Sequence, residues 1–303
     1  MFILVMFQML ALLVMVLLGV AIFSLAERKV MGLIQSRLGP SKVGIGGIMQ
    51  PFSDAMKLLL KQNPAPFESV QVLYYLSPIL FLEISMLCWM SLPVYYEITN
   101  FQSSGLFLLF CFSLSVYGLI FSGWFSNSKY ASLGSVRSVA QMISYEILLT
   151  FSIFFFLILG GSASLKCLDL LNMSFPLVFP LLPLVSISFL SFLAESNRTP
   201  FDLPEGESEL VGGFSIEYGG ISYTLIFLSE NSALLFSSVL FVNLFWGPGT
   251  VGMGVMIMVL MFLIVWIRAT LPRIRWDSMM SLCWIKLLPM QLALTSLYLV
   301  LSL

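Results

Sequence analysis

Eight uninterrupted apolar runs, each long enough to cross a bilayer, leave this chain of 303 residues little freedom in what it can become. They extend approximately over Phe2–Leu25, Leu76–Tyr96, Gly105–Trp124, Gln141–Leu159, Phe175–Ala194, Ile221–Phe245, Val251–Leu271 and Leu282–Leu303. At about 1.5 Å per residue, roughly 20 helical residues match a hydrocarbon core about 30 Å thick. The runs are continuously apolar rather than alternating, so they predict helices and not the strands of a barrel. With 59% hydrophobic residues, the chain carries more apolar surface than a water-soluble core of this size could hide. The expected fold is all-α: a polytopic membrane helix bundle of about eight transmembrane helices, in a single domain over residues 1–303. The first run is too long for the apolar core of a signal peptide and lacks a basic segment before it, so it reads as a retained span.

Charge placement says more than net charge, which is −1 and offers no basic face for nucleic acid. Arg28, Lys29, Arg37, Lys42, Lys57, Lys61, Lys129, Arg137, Arg198, Arg273 and Arg275 follow odd-numbered runs, and the loops after even-numbered runs hold only Lys166. The positive-inside rule then turns the odd loops, approximately 26–75, 125–140, 195–220 and 272–281, toward the cytoplasm or the matrix, with both termini on the opposite side. Histidine is absent, and Cys88, Cys111, Cys167 and Cys283 are scattered, which argues against haem, iron–sulfur or zinc ligation. Any electrons handled with this chain would travel on cofactors of other subunits.

The first inner loop contains one further element. Over Gly46 to Lys61, Ile48, Phe52, Ala55, Met56, Leu59 and Leu60 share one helical face, with Ser53, Asp54, Lys57 and Lys61 opposite. This predicts an amphipathic interfacial helix, ended by Pro64 and Pro66.

Several carboxylates fall at membrane depth or at its edge. Glu83, Glu146 and Glu230 lie within apolar runs, and Glu27 and Glu195 lie where runs meet the inner interface. Such groups are costly in lipid, so they typically face a bundle interior or a watery cavity and serve proton or ion transfer. The stretch "AESNRTPFDLPEGESELVGGF" adds Asp202, Glu205, Glu207 and Glu209, with Arg198 as its internal cation. Pro200, Phe201, Leu203 and Pro204 are interleaved with these acids, and Gly212-Gly213 follows. A solvated loop has little need of such apolar filling, whereas a segment folded back into protein does. Burial and like-charge crowding would raise some of these carboxyls toward the working pH range. Arg28, Arg37, Arg137, Arg268, Arg273 and Arg275 are available either as topology anchors or to neutralise the acids and orient a polar headgroup.

Four blocks, Ala26–Gln62, Gly123–Glu146, Ala194–Tyr218 and Arg268–Pro289, closely resemble the family of subunit 1 of mitochondrial NADH:ubiquinone oxidoreductase, respiratory complex I. The likeness runs in order along nearly the whole chain. It implies a subunit of the mitochondrial inner membrane that forms much of the ubiquinone tunnel and meets the hydrophilic arm. NADH, FMN and iron–sulfur clusters would then belong to partner subunits, with other membrane-arm subunits and lipids as neighbours. By the resemblance, Glu146, Glu195, Asp202, Glu205, Glu207, Glu209 and Glu230 form the proton path coupled to quinone reduction. Arg28, Arg37, Phe52, Asp54, Met56, Arg137, Arg198 and Phe201 would line the tunnel.

The sequence also departs from the family pattern. Gln62 stands where a glutamate is common, Ser215 replaces an asparagine, Asn231 replaces a tyrosine, and Glu83 has no expected counterpart. The competing reading is a stand-alone proton-coupled secondary transporter, which should show internal repeats; none is visible. A third is an assembly anchor without a catalytic role.

Overall fold

The computed structural model describes residues 2–92, 102–167, 172, 176–203, 212–247 and 250–302. Glu205, Glu207 and Glu209 lie outside the described residues. No strand occurs among the described ones. The helices are α1 (Phe2–Ile34), α2 (Gln50–Leu60), α3 (Gln71–Trp89), α4 (Ser104–Phe125), α5 (Lys129–Gly160), α6 (Leu182–Glu195), α7 (Gly220–Phe245) and α8 (Thr250–Thr270). A last helical stretch comprises α9 (Trp276–Ser281), a π-helical segment (Leu282–Leu287) and α10 (Leu288–Ser302). Short 3₁₀ turns occupy Ile45–Gly47 and Gly213–Ser215.

Among the described residues, seven helices are long and apolar enough to cross a membrane. The fifth apolar run is the exception: its helix, α6, has only 14 residues, about 21 Å of rise. Pro176, Pro180 and Pro183 explain the late start. Each lacks an N–H and disfavours a helical residue before it, so the helix forms only with Pro183 in its first turn. The fourth span departs in the other direction, since its helix begins at Lys129 rather than Gln141. Residues 129–140 are rich in small side chains that hydropathy undervalues. Ala131, Gly134, Ser135 and Ser138 are buried and let neighbouring backbones approach.

The bundle centres on α3, α4, α5 and α7. Helix α3 packs on α4 and α7, α4 on α5, and α5 on α6 and α10, while α1 and α8 pack on each other and on α7. The largest core cluster, with Leu108, Phe156, Phe236 and Phe245, lies between α4, α5 and α7. Helix α2 ends as expected at Lys61, whose backbone is extended ahead of Pro64. None of its residues is buried, and Phe52 and Met56 stand exposed.

Candidate functional site

The acidic stretch begins inside the protein. Asn197 takes a left-handed conformation (φ 48°), which a short polar side chain tolerates better than most, and this turns the chain out of α6. Phe201 N–H then donates to Arg198 O at 2.8 Å, closing a tight turn. The turn is held from beneath by Gln141, whose Nε2 donates to Ala194 O and Phe201 O, both at 2.8 Å. Phe201 packs against Tyr145, with ring centroids 6.0 Å apart, and Leu203 is buried beside it. The segment is therefore filled with apolar contacts as far as it is described, through residue 203.

Asp202 is buried at the end of this turn. Arg273 Nη2 donates to Asp202 Oδ2 at 3.0 Å, and Ile274 N–H donates to Pro200 O at 3.1 Å, so the segment after α8 is bound to the turn. Burial raises the Asp202 carboxyl above the usual carboxylate range; the Arg273 guanidinium opposes that rise, with smaller help from Arg268 and Arg198. Asp202 Oδ1 is buried without a hydrogen-bond partner among the described residues.

A second ion cluster joins distant parts of the chain. Glu27 on α1 accepts a hydrogen bond from Arg268 on α8, and Arg198 Nη1 lies 3.7 Å from the same carboxylate. Arg198 Nη2 also donates to Asn231 Oδ1 at 2.8 Å. One guanidinium thus links α1, α7 and the turn after α6. Arg268, expected as a candidate partner for the acidic stretch, is paired with Glu27 and also acts on the Asp202 carboxyl, while Arg273 bonds Asp202 directly.

Glu195 and Glu230 meet in one cavity. It has a volume of about 50 Å³ and is lined by side chains of α3, α4, α5 and α7 and by Glu195, Ser196 and Asn197. Ser85, Ser115 and Ser237 add hydroxyls, and Phe81, Phe112 and Phe236 close it with apolar surface. Glu195 Oε2 and Asn197 Oδ1 are both buried without a hydrogen-bond partner among the described residues. Buried polar atoms of this kind are ordinarily satisfied by water, and the volume is sufficient for a few molecules. Glu146 on α5 stands within electrostatic reach of Glu195. Carboxyls that line one cavity of water-holding size can pass a proton without a large movement of the backbone.

The residues expected at a tunnel divide among three places. Arg28 and Arg37 line an open hollow of about 620 Å³ together with Met31, Leu38, Lys42 and Gln50. Asp54 is held at its edge by an ion pair with Arg28 and by Gln50 Nε2 at 2.9 Å. Phe52 and Met56 stand on the uncovered face of α2, and Arg137 is half-buried on α5. Arg198 belongs to the Glu27 cluster, and Phe201 is core, so neither reaches the hollow.

Gln141, Asn197 and Arg198's contact with Asn231 were not singled out from sequence as parts of the site. Gln141 had one available signal, an amide at the start of an apolar run. The loop's far end is fixed by glycine: a Cβ on Gly134 would stand 2.7 Å from Gly213 Cα. Tyr218 then stacks on Tyr74, with centroids 4.4 Å apart, and donates to Ser122 O at 3.0 Å. Burial pushes the Tyr218 hydroxyl up to about 12.

Comparison with known proteins gives a consistent result. Residues 7–299 match the family described as NADH dehydrogenase. A Locusta migratoria protein named NADH-ubiquinone oxidoreductase chain 1 is 47% identical over 290 residues, covering 93% of this chain and 91% of that protein. The protein of the same name from Anopheles gambiae is 44% identical over 285 residues, with coverage of 93% and 91%. That from the fungus Mycosarcoma maydis is 40% identical over 306 residues, with coverage of 95% and 92%.

Proposed function

Because the chain belongs to the NADH dehydrogenase family, we propose that it is the membrane subunit of a mitochondrial NADH:ubiquinone oxidoreductase that houses quinone access and the first carboxylates of proton coupling. It works as one part of a larger enzyme of the inner membrane. Flavin and iron–sulfur centres reside in partner subunits of the peripheral arm, and neighbouring membrane-arm subunits continue the proton path. The odd loops face the matrix, and the whole chain forms one membrane domain.

The observation that carries this reading is the convergence of Glu195 and Glu230 on one largely apolar cavity that also holds serine hydroxyls, continuous in sequence with the buried turn at Asp202. Charge changes at a quinone headgroup would be felt first by carboxyls held in a low dielectric, where Coulomb interactions are least screened. Glu195, Glu230 and Glu146 are suited to take up or release a proton in response, with Asp202, Glu205, Glu207 and Glu209 on the side from which the signal arrives. Gln141 and Arg273 hold that turn in place. The hollow at Arg28 and Arg37, beside the uncovered apolar face of α2, supplies the two chemistries a quinone needs. Cations and the Asp54 carboxylate suit a polar head, and Phe52 and Met56 suit an isoprenoid tail.

The test is inhibitor-sensitive NADH-to-ubiquinone electron transfer by the native complex containing this chain, normalised to bound flavin. Sensitivity to a quinone-site inhibitor is expected. A chain that migrates alone without this activity would overturn the proposal.

A further inference from the structure

Glu83 lies within α3, between Gln71 and Trp89, about 18 Å along the helix from its first residue. That places it inside the apolar part of a membrane span. Its side chain is exposed, and no hydrogen bond or ion pair joins it to a described residue. Helix α3 has two contrasting faces. Tyr74, Ser77, Phe81, Ser85 and Cys88 are buried against α4 and α7. On the other side Val72, Leu76, Ile79 and Glu83 follow one another at spacings of four, three and four residues and are all exposed. This is the spacing of a helix-packing seam.

A stripe facing lipid alone would have no use for a carboxylate. In hydrocarbon the group loses its water without gaining donors, and charges at this depth ordinarily pair with one another. The compensating cation does not come from this chain. All 14 Lys and Arg residues fall among the described residues, and none is paired with Glu83. The undescribed segments contain no lysine or arginine, and the chain has no histidine.

We infer that the Val72–Leu76–Ile79–Glu83 stripe is a docking seam for a transmembrane helix of a different subunit, which sets a lysine or arginine opposite Glu83. The apolar residues supply shape for the contact, and the ion pair fixes its depth and register. The inference does not rest on the quinone reading, and its test does not use turnover.

The intact complex and the chain freed from its partners, both in the same mild detergent, are treated with dicyclohexylcarbodiimide, an apolar reagent that modifies carboxyls accessible from hydrocarbon. Modification of the Glu83 peptide is then read by mass spectrometry. At least tenfold less modification in the intact complex is expected. Equal modification in both preparations, or none in either, would overturn the inference, because neither outcome requires a covering partner. A density map of the intact complex identifies what covers the seam. A lysine or arginine nitrogen of another chain within about 4 Å of the carboxylate supports the inference, and a lipid chain or an apolar side chain in that place refutes it.

Discussion

Arg273 Nη2 lies 3.0 Å from Asp202 Oδ2, joining the segment after α8 to the buried start of the acidic stretch. Burial raises the Asp202 carboxyl, and Arg273 is the largest influence opposing that rise. A raised carboxyl favours the fold most fully when protonated, below the ordinary value near about 3.9, and that contribution is lost as pH rises through the folded-state value. Arg273→Met should therefore lower thermal stability more at pH 8 than at pH 5. The Arg273 side chain keeps 40% of its exposure, so the expected cost is about 1–2 kcal/mol rather than the 3–5 of a fully buried pair. Adding Asp202→Asn should flatten the pH dependence; melting of the complex across that range measures both.

The cavity carboxyls should separate coupling from electron input. Glu230→Gln and Glu195→Gln preserve size and remove a titrating proton, so inhibitor-sensitive quinone reduction should fall about tenfold or more. NADH oxidation by an artificial acceptor at the flavin should be unchanged. Equal losses in both assays would indicate failed assembly. An infrared difference spectrum should contain a protonated-carboxyl band that disappears in one of these variants.

What could be read from the sequence was what hydropathy and local spacing encode. The spans, the amphipathic face of α2 and the apolar filling around Asp202 followed from residue types within a few turns. The short α6 and the early start of α5 did not, because proline geometry and small-residue packing oppose what average hydropathy suggests. Glu27 and Arg268 are 241 positions apart, and nothing local in either segment specifies that they pair. The same holds for Arg198 and Asn231, whose contact depends on how α6 is stacked against α7.

Gly134 should be intolerant of the smallest side chain. Its Cβ would enter within 2.7 Å of Gly213 Cα, and backbone on both sides leaves little room to yield. Gly134→Ala is expected to cost about 1–3 kcal/mol by overpacking and to displace the far end of the acidic stretch. Gly252→Ala is the control, since no described residue lies within 4 Å of the added methyl. It should be neutral or stabilise α8 by up to about 1 kcal/mol. Thermal melting of the two complexes compares them directly.

Tyr218 tests whether the hydrogen bonds or the stacked ring anchor that far end. Its hydroxyl makes 3.0 Å contacts with Ser77 Oγ and Ser122 O, while its ring lies within 3° of parallel to Tyr74. Tyr218→Phe keeps the stack and removes the hydroxyl, so a loss of about 1 kcal/mol is expected at neutral pH. The phenol's value is raised from about 10 when unfolded to about 12 when folded, so the stability gained from its protonated form is complete below pH 10. It is lost as pH climbs to about 12. The native complex should thus lose stability over that alkaline window more steeply than Tyr218→Phe, and the two melting curves should converge there. If they stay parallel, the Tyr218 hydroxyl is not the group that titrates over that window.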